Sequence, residues 1–213
     1  MINLSLQRCQ IMNIDKGFLE ETETIDYNEP IIQEKVNELK QISRSQQDYI
    51  KNAYRFVRDN IPHSWDIRSE IVSRRASEVL INGTGICWTK SCLLAALLRA
   101  NGIPSGISYQ YLTRADEVES EGYIIHALNT AFISELNKWI RLDARGNKEN
   151  VHADFSLEEG KLAFPVRSQL HEIDYRDNHT DLDEQLIYIL QESKNILEVT
   201  ADFTMNSANP VLS

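Results

Sequence analysis

The sequence lacks the features that mark several large protein classes. It has three cysteines, Cys9, Cys87 and Cys92, too few and too irregularly spaced for a disulfide framework. Reduced thiols and a cytoplasmic location are therefore expected. No stretch approaches the roughly 18 continuous apolar residues of a membrane span. The opening segment, MINLSLQRCQIMNIDKGFLEETET, has no basic region leading into an unbroken apolar run, so no secretory signal is expected. Basic residues are in deficit, 22 against 32 acidic, for a net charge of −10. General nucleic-acid binding, which needs cations to displace counterions from phosphate, is disfavoured. Eight glycines and five prolines are scattered as punctuation, without repeat, linker or low-complexity tract.

What is present is an ordinary globular composition: 213 residues, 42% hydrophobic and 25% charged. That suits a single domain with a real core. Apolar spacing predicts helices over 31–39 (Ile32, Val36, Leu39), over about 45–59 (Tyr49, Ala53, Phe56, Val57) and near 77–81. After the turn Asn82-Gly83-Thr84-Gly85, good helix formers run from Cys87 to about Ala100, with Asn101-Gly102 and Pro104 as the stop. The period then changes. Ile107, Tyr109 and Tyr111 alternate with polar residues, and strands are predicted there, over 123–133 and over 138–143. Residues 1–24 have room for one or two strands. Beyond Gly146 order is indistinct until a helix from Asp183 to about Leu197. Helices first and strands afterwards predict an α+β fold with an antiparallel sheet.

The chemistry-bearing candidate is Cys87, which opens a helix directly after a glycine-containing turn. Unsatisfied N–H groups and partial positive charge at a helix N-terminus favour thiolate over thiol. The same N–H groups can hold an oxyanion formed when sulfur attacks a carbonyl, and Gly83 and Gly85 allow a substrate backbone to come close. Alone, such a cysteine also fits a small buried hydrophobe, the reading given to Cys92. Positions five apart do not face one another on a helix, so Cys87 and Cys92 do not suit a metal.

A thiolate nucleophile works best beside an imidazole whose far nitrogen is held by an acceptor. His126 interrupts the apolar run Tyr123-Ile124-Ile125-His126-Ala127-Leu128, and Asp143 ends the next strand. If a two-residue turn at Glu135-Leu136 joins these strands, position 143 falls opposite 128 and shares a face with 126. An odd-sized loop would separate them. A satisfied core histidine and a strand-end aspartate also fit the two residues taken singly. Trp65 and Trp88 are candidates to wall the cleft or to offer an indole N–H to an oxyanion. His63 reads as a surface or loop residue, and His152, His171 and His179 as solvated. No metal spacing is found among them. Arg99 reads as a partner for helix C-terminal carbonyls or an acidic neighbour.

The segment Ala76-Ser77-Glu78-Val79-Leu80 through Gly83-Thr84-Gly85-Ile86-Cys87-Trp88, followed by Leu97-Leu98-Arg99-Ala100-Asn101-Gly102-Ile103-Pro104, resembles the core of the transglutaminase-like superfamily. In that family a glycine precedes the nucleophilic cysteine, the cysteine heads a helix, and the helix ends in an R-x-x-G-I-P turn. The order Cys87, His126, Asp143 is similar to the family's triad. The resemblance covers about residues 50–145, leaving N-terminal helices and a C-terminal helical extension outside it. Two positions depart from the common pattern: Ala127 stands where many members have an aromatic residue, and Trp88 where many have aspartate.

The resemblance implies a papain-like α+β core, with the cysteine helix packed on an antiparallel sheet that carries the histidine and aspartate. It implies catalytic Cys87, His126 and Asp143 acting on an amide of a protein, peptide or small molecule through a thioester, without cofactor or metal. Resolution of the thioester by water gives hydrolysis, and by an amine gives acyl transfer. The fold alone does not choose between them. The alternative is a triad-bearing binding domain with little or no catalysis, and a small-molecule acyltransferase is a third possibility. Neither a nucleic acid nor a membrane is expected as partner.

Overall fold

A computed structural model describes residues 14–113, 122–158 and 160–199. Cys9, and the strands allowed for near the N-terminus up to residue 13, lie outside the described residues. Helix α1 (Pro30–Ile42) starts with proline at its first turn and buries Ile32, Val36 and Leu39, where the missing proline N–H is no loss. Helix α2 (Gln46–Asn60) is capped by Ser45, whose hydroxyl accepts from the Asp48 N–H, and it buries Tyr49, Ile50, Ala53, Tyr54 and Val57. A single turn, α3 (Ser64–Ile67), is closed by Arg68 in the left-handed conformation. Helix α4 (Ala76–Asn82) stops at Gly83, whose φ of 66° is open to glycine without strain.

Helix α5 (Cys87–Arg99) occupies the centre of the molecule, and every residue from Trp88 to Arg99 is buried. One side packs on the sheet and the other on α1, α2 and α4. A helix covered on all sides needs apolar residues around its whole circumference, which the run Leu93 to Leu98 supplies. Its two buried charges are tied to main chain. Arg99 donates to the carbonyls of Glu20, Ser105 and Thr180, stitching three segments rather than only closing its own helix.

The sheet comprises β1 (Ser105–Thr113), β2 (Tyr123–Ile133), β3 (Lys138–Leu142) and β4 (Ile173–His179) in the order β3-β2-β1-β4, all pairs antiparallel. The fold is α+β. Strand β4 is absent from the sequence expectation because its residues, IDYRDNH, carry no apolar alternation and it lies at the sheet's edge. The last helix, α6 (Glu184–Glu192), is shorter than expected, ending at Ser193 before a separate turn over Ile196–Glu198. Its Leu186 and Leu190 enter the core, and Arg74 donates to the Leu190 and Ser193 carbonyls. The segment therefore packs on the body of the protein. No helix among the described residues is long and apolar enough to cross a membrane.

Candidate active site

Strand β3 pairs with β2 only from Asn129 to Ile133, with Asn129 opposite Leu142. Main-chain groups of alternate residues in a strand point to the same neighbour. Phe132 donates its N–H to Pro104 on the β1 side, so odd-numbered residues of β2 face the β3 side. Where β3 ends, Ile125 and Ala127 would have main-chain groups without a strand partner. The N-terminus of α5 fills that gap. Trp88 donates its indole N–H to the Ile125 carbonyl at 2.8 Å, and the Ala127 N–H hydrogen-bonds the Cys87 sulfur.

The same β2–β3 register places residue 143 opposite 128, on the face of 126. His126 Nε2 lies 2.8 Å from Asp143 Oδ2, and both side chains are buried. The imidazole also hydrogen-bonds the Cys87 sulfur; with Nε2 on the carboxylate, Nδ1 is the nitrogen that faces the thiol. Asp143 accepts further from the N–H groups of Arg145 at 3.1 Å and Ala163 at 2.9 Å. Phe164 stands edge-on to the His126 ring, with centroids 5.0 Å apart. The polar stretch after Gly146 thus folds back over the site, a long-range closure with no local signal in its residues.

These contacts set the charges. Burial alone would push the Cys87 thiol up, but the charge and hydrogen bond of His126, with the Ala127 N–H, bring it below the ordinary thiol value. Burial alone would push His126 down, yet Asp143 and the Cys87 thiolate raise it to about 10. Asp143 is held below the usual carboxylate range against its own burial, by His126 and by the Ala163 and Arg145 N–H groups. A half-buried cysteine, an imidazole and a carboxylate thus stand in line, and the shifts of all three run in the direction that favours a thiolate beside an imidazolium. Cys92, by contrast, is fully buried and its thiol is pushed up to about 12 by that burial.

The surroundings are basic and tightly bonded. Lys90 is wholly buried and donates to the carbonyls of Ile61 and Arg145; burial, then Arg145, bring it down to about 7. Arg145 reaches across to Asp66 with both terminal nitrogens, at 2.5 and 2.9 Å, and Lys148 adds a third contact at 2.8 Å. Those hydrogen bonds outweigh the partial burial of Asp66 and hold its carboxyl well below the usual range.

Several sequence expectations need revision. His63 is not a surface residue: it is 8% exposed, and its Nε2 accepts from the Cys87 backbone N–H at 3.1 Å. Only the pairing of residues 62–64 with 84–85 brings it there, which no local pattern signals. His179 is half-buried beside Tyr109 rather than solvated, while His152 and His171 are exposed. Trp88 is buried, with its indole N–H held by Ile125; Trp65 is 40% exposed. Gly85 serves close packing, since a Cβ there would meet Thr89 Oγ1 at 2.7 Å.

Comparison with known proteins finds no match among curated proteins. Among solved structures, a protein from Cytophaga hutchinsonii provisionally named a cysteine protease is similar at a TM-score of 0.49 and 19% identity. The likeness covers 63% of this chain and 44% of that one, so the chain spans less than half of that protein's length. Residues 33–144 match the family described as the Transglutaminase-like superfamily. That stretch is more than half of the chain and contains Cys87, His126 and Asp143: the protein belongs to the transglutaminase-like superfamily.

Proposed function

We propose that the protein is a cysteine-dependent acyl-transfer enzyme acting on an amide, with Cys87 as nucleophile, His126 as acid and base, and Asp143 as the group that orients the imidazole. The observation that carries this reading is the buried His126–Asp143 hydrogen bond, on an imidazole that also contacts the Cys87 sulfur. In acylation the thiolate adds to the carbonyl carbon and the C=O electron pair moves to oxygen. The intermediate collapses by breaking the C–N bond, and the amine leaves with the proton of the His126 imidazolium. Neutral His126 then takes a proton from water or an amine as it attacks the thioester, which regenerates the thiolate–imidazolium pair. Water completes a hydrolysis and an amine completes an acyl transfer. Family membership and the order of the three residues support the reading.

The test uses glutamine-containing and general peptide pools, with and without an added primary amine. Ammonia release, peptide cleavage and amine incorporation are followed in the parent protein and in Cys87→Ala. Turnover of an amide by the parent and its loss in Cys87→Ala is the expected result. Turnover that persists in Cys87→Ala would overturn the mechanism. A Cys87 that alkylates only at the pH of an ordinary thiol, with no turnover, would favour the binding-domain alternative.

A further inference from the structure

His63 sits between two backbone donors. Its Nε2 faces the Cys87 N–H at 3.1 Å, and its Nδ1 faces the Trp65 N–H at 3.4 Å. A neutral imidazole carries one lone pair for accepting and one N–H, so it cannot receive both. Protonation makes the mismatch worse, and burial, with Arg145 and Lys90 nearby, holds the ring well below its usual pKa. In either neutral tautomer one ring N–H is turned toward a backbone N–H. The cluster has one donor too many, and what it lacks is an acceptor.

One tautomer makes sense of the surplus. With Nδ1 accepting from Trp65, the ring turns Nε2–H toward the Cys87 N–H, two donors 3.1 Å apart at the head of the cysteine helix with no acceptor between them. An oxygen accepting from the backbone N–H of the nucleophile itself belongs to the carbonyl that the sulfur attacks. The Trp88 indole N–H is already bonded to the Ile125 carbonyl, and Trp65 is 40% exposed.

We propose that His63 is a catalytic residue, the side-chain half of the oxyanion hole, donating from Nε2 together with the Cys87 backbone N–H. The inference rests on the reading of Cys87 as an acylating nucleophile. As the thiolate adds to the carbonyl carbon, the electron pair moving to oxygen is met by these two donors, and no proton leaves either of them. Between turnovers, the other tautomer lets Nε2 accept from the Cys87 N–H, the contact present in the structure.

Preorganisation of such donors is what makes them effective, and the loop carrying His63 is fixed on both sides of the residue. Thr84 donates to the Pro62 carbonyl at 3.0 Å, Ser64 N–H donates to Gly85 at 3.1 Å, and Lys90 holds Ile61. The Asp66–Arg145 pair then ties the next turn to the segment that follows Asp143.

The experiment compares two reactions of Cys87. Iodoacetamide alkylation reports the thiolate and builds no oxyanion, whereas acylation by p-nitrophenyl acetate passes through one. In His63→Ala the acylation burst should slow about 10²–10³-fold, the range for loss of one oxyanion donor, while alkylation stays near the parent rate. His63→Gln, whose amide can donate, should recover part of the burst. An unchanged burst in His63→Ala overturns the proposal, as does a parallel fall of both reactions in both variants, which would make His63 a scaffold residue. Absence of a burst in the parent protein would remove the acyl-transfer reading and the His63 role with it, an outcome distinct from either. A further measurement needs no variant: ¹⁵N-histidine spectra of the parent protein should show His63 Nε2 protonated once N-acetylglycinal is bound. An unprotonated Nε2 in that complex overturns the proposal.

Discussion

The Trp88 indole N–H lies 2.8 Å from the Ile125 carbonyl, at the stretch of β2 that β3 leaves unpaired after Leu142. The tryptophan acts as a side-chain substitute for a missing strand and ties the head of the cysteine helix to the sheet. Trp88→Phe keeps most of the ring volume but leaves a buried carbonyl without its donor. That should cost about 1–3 kcal/mol, read as a fall in the urea midpoint. Trp65→Phe, at a 40% exposed position, should change stability by less than about 0.5 kcal/mol. Equal effects in the two variants would show that the Ile125 contact contributes nothing special.

The helical half of the fold was legible because its signals are local. Pro30 and Ser45 mark helix starts, Gly83 and Gly102 mark ends, and apolar residues recur at helical spacing between them. His126 and Asp143 could be related because β2 and β3 are joined by a short turn, so a register with Asn129 opposite Leu142 puts both on one face. Cys87, on a helix outside the sheet, was grouped with them only through the resemblance to the transglutaminase-like superfamily. His63, Lys90 and Phe164 were not. Each reaches the site through a long-range contact: a bridge from residue 63 to 85, an ammonium bonded to carbonyls at 61 and 145, and a ring against His126. Lys90 in particular sits between Thr89 and Ser91 in a helix that is otherwise largely apolar, and nothing in that pattern says which carbonyls will accept from it.

The pH dependence of Cys87 follows from the charges around it. The thiolate forms above a thiol pKa that His126 has lowered, and the imidazolium persists up to about 10 because Asp143 and the thiolate raise it against burial. Iodoacetamide alkylation should therefore begin below the ordinary thiol value of about 8.5, with a second rise near pH 10 as the imidazolium is lost and frees the thiolate. Asp143→Asn removes a charge that raises His126, so the second rise should move to lower pH. If both inflections stay fixed in Asp143→Asn, the carboxylate does not govern the imidazole.

Lys90 should leave its own mark on stability. Its folded pKa of about 7 lies below the ordinary lysine value of 10.5, so between these values the unfolded chain binds the proton that the folded protein has released. Stability from this group therefore rises with pH across that window, by at most about 1.4 kcal/mol per pH unit. His126, raised by its partners, acts in the opposite sense over much of the same range, so the comparison must be with Lys90→Met at each pH. The parent should gain stability relative to Lys90→Met between pH 7 and 9.5. A constant difference would show that Lys90 keeps its charge in the folded state.

Gly85 links the cysteine helix to the His63 loop, and its lack of a side chain is a packing requirement. Its carbonyl accepts the Ser64 N–H at 3.1 Å, while a Cβ would meet Thr89 Oγ1 at 2.7 Å and Val79 Cγ2 at 3.3 Å. Thr89 is fully buried within the first turn of α5, and among the described residues its hydroxyl hydrogen-bonds the Ile86 carbonyl alone, at 3.4 Å. Gly85→Ala should destabilise by about 1–3 kcal/mol through overpacking and slow acylation by displacing the Cys87 and His63 donors together. Because the shorter contact is to a hydroxyl that makes one long bond, Thr89→Ala in the same chain should restore most of the stability. The two substitutions then fail to add, as neighbours sharing one contact do. A Gly85→Ala variant as stable as the parent would mean that Thr89 turns aside without cost, and that the glycine answers to some demand other than space.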